Sequence, residues 1–226
     1  MSGSSTYTLY SYWRSSCSYR VRIVLHHKGL GYTTRAIHLV REGGEQFGEE
    51  YRGLNPMAQV PTLMVPDGAG GTRALTQSVA ICEYLEARHP SPPLLPAKAF
   101  DQAEVRQIVE TIGAGIQPIQ NLAVMRRLSR DFGTARPQNI GWAAEWITQG
   151  FEALERMLKV SAGAFACGDS VTLADVFIVP QVYNANRFGV DMSRFPILTR
   201  VHAHAQQLDS FARAAPERQP DAAPVP

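Results

Sequence analysis

Over the first third of the chain the spacing of apolar and polar positions changes type several times. Tyr7 to Tyr12 is rich in aromatic and β-favouring residues and predicts a strand, which breaks at Trp13-Arg14-Ser15-Ser16. From about Ser16 the period lengthens: Val21, Val24, Leu25 and Lys28 lie along one side of a helix, and Gly29 supplies its stop. Thr33 to Leu39 reads as a second strand, and the resulting β-α-β unit favours parallel pairing. A polar, glycine-containing stretch runs from Val40 to Leu54. Val60 to Val65 and Arg73 to Thr76 predict two further strands, and the turn residues Pro66-Asp67-Gly68-Ala69-Gly70-Gly71 between them predict a hairpin. A helix follows from about Ser78 to Arg88.

His89-Pro90-Ser91-Pro92-Pro93 and Pro96 break this alternation, and the pattern beyond is almost entirely helical. Val105, Ile108, Val109, Ile112, Ile116 and Ile119 keep helical spacing, as do Ile147, Phe151, Leu154 and Leu158. Leu173 to Tyr183 is apolar on nearly every side, which predicts a buried central helix. Ala215 to Pro226 is rich in Pro and Ala with few apolar anchors, so a mostly disordered tail is expected there. The element order implies an α/β thioredoxin-like N-terminal domain at 1–88, a linker at 89–97, an all-α C-terminal domain at 98–214 and a tail at 215–226.

A chain of 226 residues, 45% hydrophobic, can bury the cores of two modest domains. A formal charge of +2 lacks the basic bias of a nucleic-acid or membrane-surface binder, and no partner of either kind is expected. No run of about 18 apolar residues predicts a membrane-spanning helix, and Met1 to Ser5 lacks the apolar centre of a signal peptide. Cys17, Cys82 and Cys167 are odd in number and far apart, so neither a disulfide framework nor a cysteine-rich zinc site is expected, and a reducing cytoplasm is the simplest setting. His26, His27, His202 and His204 form no ligand pattern, so no metal is expected.

The chemistry concentrates at Arg14-Ser15-Ser16-Cys17. There the first strand delivers the chain to a helix N-terminus, whose unpaired amides and dipole favour negative charge. A bound thiol with the reference pKa of about 8.5 is only about 3% ionised at pH 7, so a hydroxyl donating to its sulfur would favour the thiolate. Ser15 is the first choice for that donor, with Cys17 a supporting neighbour and Ser16 third; a plain N-cap is the alternative role. Val60-Pro61 precedes the third strand, where a cis proline would leave the preceding backbone open to pair with a peptide. Gln77-Ser78 starts the next helix, where Ser78 is expected to act as the cap and the free amides to hold a carboxylate. Thr172-Leu173-Ala174-Asp175 is a capping-box variant, so Asp175 reads as structural. Arg14 and Arg187 are the candidates to bind substrate carboxylates through a guanidinium fork, whereas Arg20 and Arg22 read as solvated surface charges.

The string Ser15-Ser16-Cys17-Ser18-Tyr19-Arg20-Val21-Arg22-Ile23 closely resembles the signature of the zeta-class glutathione transferases, the maleylacetoacetate isomerases. Asn55-Pro56-Met57, Gln59-Val60-Pro61-Thr62-Leu63, Gln77-Ser78, Ile116 to Leu122 and Val179-Pro180-Gln181-Val182 extend the resemblance along the chain. Tyr19 stands where the family commonly has tryptophan, and the hairpin is lengthened through Ala69-Gly70-Gly71. The resemblance implies a glutathione transferase fold and glutathione as cofactor, held by Ser15, Ser16, Cys17, Gln46, Val60, Gln77 and Ser78, with Ser15, Ser16 and Cys17 as the catalytic set. Gln117 and Asn121, four apart and expected on one face of a helix bent at Pro118, would reach glutathione or substrate from the helical domain. Arg187, in Asn184-Ala185-Asn186-Arg187-Phe188, stands where the family places an arginine facing the active site.

The implied reaction is the cis–trans isomerisation of a small dicarboxylate, maleylacetoacetate, to fumarylacetoacetate in tyrosine breakdown, by a cytoplasmic homodimer. Isomerisation of maleylpyruvate, and conjugation or dehalogenation of small α-halo acids, are the neighbouring alternatives. A non-catalytic binding module would be expected to lack the Ser15/Cys17 or Gln77/Ser78 pairs, which are present. A dithiol redox enzyme would carry C-x-x-C where this chain has Cys17 and Arg20.

Overall fold

Strand and helix alternate in the first part of the chain as the pattern predicts: β1 Tyr7–Ser11, α1 Ser16–His27, β2 Tyr32–Ala36, α2 Glu49–Leu54, β3 Thr62–Pro66, β4 Thr72–Thr76 and α3 Ser78–Arg88. The computed structural model describes residues 7–222, so Met1 to Ser5 and the end of the expected tail, 223–226, lie outside the described residues. The sheet order is β2-β1-β3-β4, with β1 parallel to β2 and the other pairs antiparallel. Leu9 of β1 sits opposite Thr34 and Leu63, and both leucines are fully buried beneath the helices. The hairpin turn is closed by Asp67, whose Oδ1 accepts the Ala69 and Gly71 amides at 2.9 Å each. Strand β3 starts two residues later than expected, because the Val60–Pro61 pair forms the approach to it. Helix α2 lies in the polar stretch, too short to show a period.

Both arginines expected on the surface are buried: Arg20 is 1% and Arg22 0% exposed. A guanidinium taken out of water must have its donors met. Arg22 donates to Ala214 O at 2.9 Å, Trp13 O at 3.0 Å, Ser11 Oγ at 3.1 Å and Tyr12 O at 3.5 Å. Lys28 is similarly enclosed, with its Nζ 2.6 Å from Glu86 and donating to the His89 and Pro92 carbonyls at 2.6 and 2.9 Å. The start of the expected linker is thereby tied to α1.

The chain divides into two units, one built from residues up to Pro92 together with the chain from Asp209 on, the other Pro93–Leu208. The first unit thus takes in a C-terminal segment that composition assigns to the helical domain and a disordered tail. A helix at Asp209–Ala214 and a 3-10 turn at Pro216–Arg218 carry the chain to Ala222. Phe211, Ala214, Pro216 and Gln219 are buried. The fully buried Phe211 and Ala214 anchor the segment, and polar bonding to α1 adds to their hold, from Arg22 to Ala214 O and from Tyr19 Oη to Phe211 O at 3.4 Å.

The second unit is helical: α4 Ala99–Glu110, α5 Leu122–Phe132, α6 Arg136–Ser161, α7 Leu173–Arg187 and α8 Pro196–Ala205, leaving α9 for Asp209–Ala214. Helix α7 is the expected central helix, with Ala174 and Val176 to Val179 fully buried against α4 and α8. The apolar period from Val105 to Ile119 predicts one helix, but α4 passes into a π-type turn over Thr111–Ile116, where Gln117 N–H bonds back to Ile112 O at 2.9 Å. Pro118 follows directly, with no N–H to continue the ladder, and the helix ends.

Asp175, three residues into α7, accepts the Thr172 N–H at 2.9 Å, the Thr172 hydroxyl at 3.0 Å and the Ala166 N–H at 2.8 Å. Burial nevertheless pushes its carboxyl up to about 6, against the downward pull of those hydrogen bonds. With the folded value above the unfolded 3.8, its stabilising contribution is complete below 3.8 and is lost as pH rises through about 6. The unfolding free energy of the wild type, followed by urea titration, should therefore fall between those values relative to Asp175→Asn, by up to about 3 kcal/mol. Identical pH slopes in the two proteins would refute this. A side chain at Gly150 of α6 would overlap buried Ile116, so Gly150→Ala should cost about 1–3 kcal/mol in the same assay.

Candidate active site

Four of the expected residues lie on the turn from β1 into α1. Ser15 is the N-cap of α1, and its Oγ accepts the Ser18 N–H at 3.2 Å. The plain capping role is therefore real, but it uses the hydroxyl only as an acceptor and leaves its proton to donate. Buried Ser16 and half-buried Cys17 open the helix, where the backbone amides have no intrahelical partner and the dipole favours an anion. Arg14 is half-buried with its guanidinium 5.1 Å from the Trp13 ring centroid, and it enters no ion pair among the described residues.

Arg20 ties this turn to the start of α3. Its Nη1 donates to Ser78 Oγ at 3.1 Å and lies 3.7 Å from Cys17 Sγ. Ser78 is thus the first residue of α3 and not its cap; the cap position is held by Gln77, at φ 69°, which is unusual for a residue with a side chain. Backbone strain of this kind collects at functional sites, and no side chain occupies the first amides of α3 as a cap. Arg20 is the residue linking these two helix starts that the sequence reading missed. Its signal was position: Cys17, Arg20, Val21 and Val24 share one helical stripe, and a charge on an apolar stripe is a buried charge.

The approach to β3 is fixed just as firmly. Tyr51 Oη and Asn55 Nδ2 both donate to Gln59 O at 2.6 Å, and the Val60–Pro61 bond is cis as expected. Val60 packs with Tyr12, Trp13 and Tyr51 in one buried cluster, against which Leu39 is also laid. Gln46 is 4% exposed; its Nε2 donates to Leu39 O at 3.4 Å, while its Oε1 is buried without a hydrogen-bond partner among the described residues. An orphaned buried acceptor is costly unless a ligand donor meets it. Contacts therefore link Ser15 to Cys17 with Ser78 through Arg20, and with Val60 and Gln46 through the Tyr12–Trp13 cluster. This set of helix-start amides, one unmet acceptor and hydroxyls fits glutathione, which carries carboxylates, amide donors and a thiol.

The other three expected residues belong to the second unit. Gln117 follows the π-type turn, and Asn121 is the N-cap of α5, its Oδ1 accepting the Ala123 N–H at 2.9 Å. They do not share a helix face, because Pro118 ends the helix between them. Arg187 is the last residue of α7, exposed, with its guanidinium 4.5 Å from the Phe188 ring centroid. Gln120 and Gln181, from two of the family-like strings, form a buried amide pair at 3.1 Å, a structural link from the turn to α7.

The remaining thiols are poor nucleophiles. Burial pushes Cys82 up to about 12 and Cys167 up to about 11, and all three cysteines are free. Among the described residues no group of His, Cys, Asp and Glu side chains could hold a metal ion, and no helix is long and apolar enough to cross a membrane.

Residues 14–88 match the family model of the glutathione S-transferase N-terminal domain. The chain is 47% identical to the maleylacetoacetate isomerase of Dictyostelium discoideum over 216 residues, covering 96% of each protein. Among solved structures it is similar to a bacterial zeta-class maleylpyruvate isomerase, with a TM-score of 0.90 and 41% identity, over 96% of this chain and all of that one. It is also similar to the maleylacetoacetate isomerase of Anaeromyxobacter dehalogenans with bound GSH, with a TM-score of 0.87 and 45% identity, over 96% of this chain and 98% of that one. That same protein has been solved with dicarboxyethyl glutathione and citrate in its active site. At such identity over nearly the whole length, the chain belongs to the zeta-class glutathione transferases, the family of the maleylacetoacetate isomerases.

Proposed function

We propose that this chain is a glutathione-dependent cis–trans isomerase that converts maleylacetoacetate to fumarylacetoacetate, with glutathione held along Ser15 to Cys17, Gln46, Val60, Gln77 and Ser78. The observation that carries it is the Ser15 hydroxyl, fixed at the N-terminus of α1 by the Ser18 amide with its proton left to donate. A carbon–carbon double bond does not rotate at useful rates; glutathione supplies a thiolate that adds reversibly to the alkene, making that bond single while it turns, and is then released unchanged. Ser15 donates its hydroxyl proton to the sulfur, and the Ser16 and Cys17 amides add the positive end of α1. Ser78 and the first amides of α3 receive the γ-glutamyl carboxylate. Val60 presents its backbone to the cysteinyl segment, and Gln46 Oε1 accepts from a glutathione amide or ammonium. Arg14 pairs with a substrate carboxylate and steadies the charge that passes into the conjugated carbonyl. Arg187 is assigned the other carboxylate, and Gln117 and Asn121 contacts to glutathione or substrate, on the family resemblance. The same resemblance supports a cytoplasmic homodimer working in tyrosine breakdown.

Maleylpyruvate is the second reading, favoured by the TM-score of 0.90 to an isomerase of that name. Its shorter chain would use the same sulfur contacts, so only the substrate arm separates the two. Turnover of maleylacetoacetate and maleylpyruvate, each with and without glutathione, should show strict glutathione dependence and the higher kcat/KM for maleylacetoacetate. Absence of turnover with either substrate would sink the isomerase reading. Ser15→Ala should lower kcat by about 100-fold or more, the scale of one lost transition-state donor, with Ser15→Thr recovering part of it. Arg187→Ala should act mainly on KM for the dicarboxylate, and an unchanged KM would remove that assignment.

A further inference from the structure

We propose that the C-terminal segment from Asp209 to Ala222 is a strap that positions the catalytic turn, with Asp221 and Arg22 as its positioning residues; the catalytic part of this rests on the glutathione reading of Ser15. The argument starts at Trp13, the residue before Arg14. Its N–H donates to Asp221 Oδ2 at 2.9 Å. Its C=O accepts from Arg22 Nη2 at 3.0 Å, and the same guanidinium reaches the strap by donating from Nε to Ala214 O at 2.9 Å. The N–H of this residue is thus held directly by a segment about two hundred residues away, and its C=O indirectly, through an Arg22 that also bonds that segment.

That residue sits inside the tight turn closed by Ser15 N–H to Tyr12 O at 3.0 Å. With Trp13 pinned on both sides, the backbone that presents Arg14 and Ser15 has one course. The side-chain layer agrees: Ala222 packs against the Tyr12, Trp13, Tyr51 and Val60 cluster. The strap is stiffened in its own right by buried Gln219, whose Nε2 donates to Arg213 O at 3.0 Å and Ala215 O at 2.8 Å. Asp221 touches no proposed ligand group. Its Oδ2 holds Trp13, while its Oδ1 is buried without a partner among the described residues. A shift of the Ser15 hydroxyl by a fraction of an ångström weakens a hydrogen bond to sulfur steeply, which makes a backbone anchor two residues away consequential.

The test compares Asp221→Ala, which removes the acceptor, with Asp221→Asn, which keeps an oxygen for Trp13. Glutathione Kd by calorimetry, kcat and KM in the isomerase assay, and amide hydrogen exchange at Trp13 in ligand-free protein are measured on each. Asp221→Ala should raise the glutathione Kd and lower kcat by about tenfold, the scale of one charge-assisted hydrogen bond, and speed exchange at Trp13 by a similar factor. Asp221→Asn should stay within about threefold of wild type in all three. Equal Kd, kcat and exchange in Asp221→Ala and wild type would overturn the proposal, as would equal losses in both variants, which would mark Asp221 as a charge requirement and not an anchor. Wild-type protein that binds no glutathione would instead sink the glutathione reading. In that case unchanged Trp13 exchange in Asp221→Ala overturns the strap as well, and faster exchange upholds its hold on the turn.

Discussion

Two guanidinium groups buried on one helix set the geometry on which everything else in the first unit depends. Burying a charge forces the surrounding chain to supply its hydrogen-bond partners, and breaking such an arrangement leaves an uncompensated ion. Arg22 imposes that demand on the end of β1, the turn after it and the C-terminal helix α9, by bonding Ser11, Tyr12, Trp13 and Ala214 together. Arg20, two residues earlier, imposes it on Cys17 and Ser78. Because α1 is rigid, the starts of α1 and α3 are held in a fixed relation. Those are the two helix N-termini where anionic parts of a ligand are best placed.

Ser15 stands in the middle of this arrangement. Its hydroxyl is oriented by accepting from Ser18, its backbone by the turn to Tyr12, and its predecessors by Arg22 and Asp221. A cap with a spare proton is a modest chemical resource. In the proposed reaction it would become a catalytic one, because the thiol it meets is a ligand's; burial pushes the chain's own Cys82 and Cys167 far above neutral pH. The arrangement favours a foreign thiol as the nucleophile, regenerated at each turnover.

Much of this was legible in the residue pattern. The alternation of Tyr7 to Arg88 shows the succession of elements, the parallel pair and the hairpin, and the unbroken apolar face of Leu173 to Tyr183 shows the central helix, because burial acts on side chains that the sequence displays directly. Ser15, Val60 and Ser78 were legible as the ends of predicted elements. Polar interiors were not. Arg20 and Arg22 look like surface charges until the opposing carbonyls are in place, and Gln219 and Asp221 give their segment an order that a count of apolar anchors cannot register. Gln117 and Asn121 were misread for a related reason. The apolar period runs on through Ile119, but the backbone had already widened into a π-type turn at Thr111–Ile116, and Pro118 placed the two residues on different elements.

In the proposed mechanism the start of α1 lowers the pKa of a bound thiol, with Ser15 as the donor. This is tested most directly by titrating the thiolate ultraviolet absorbance of glutathione bound to the wild type and to Ser15→Ala. In the wild type the bound thiol should titrate at least about one unit below the reference of about 8.5, and in Ser15→Ala it should return most of the way, each unit being about 1.4 kcal/mol of thiolate stabilisation. A thiol that titrates at the reference value when bound to the wild type, or a depressed value that Ser15→Ala leaves untouched, would contradict the account.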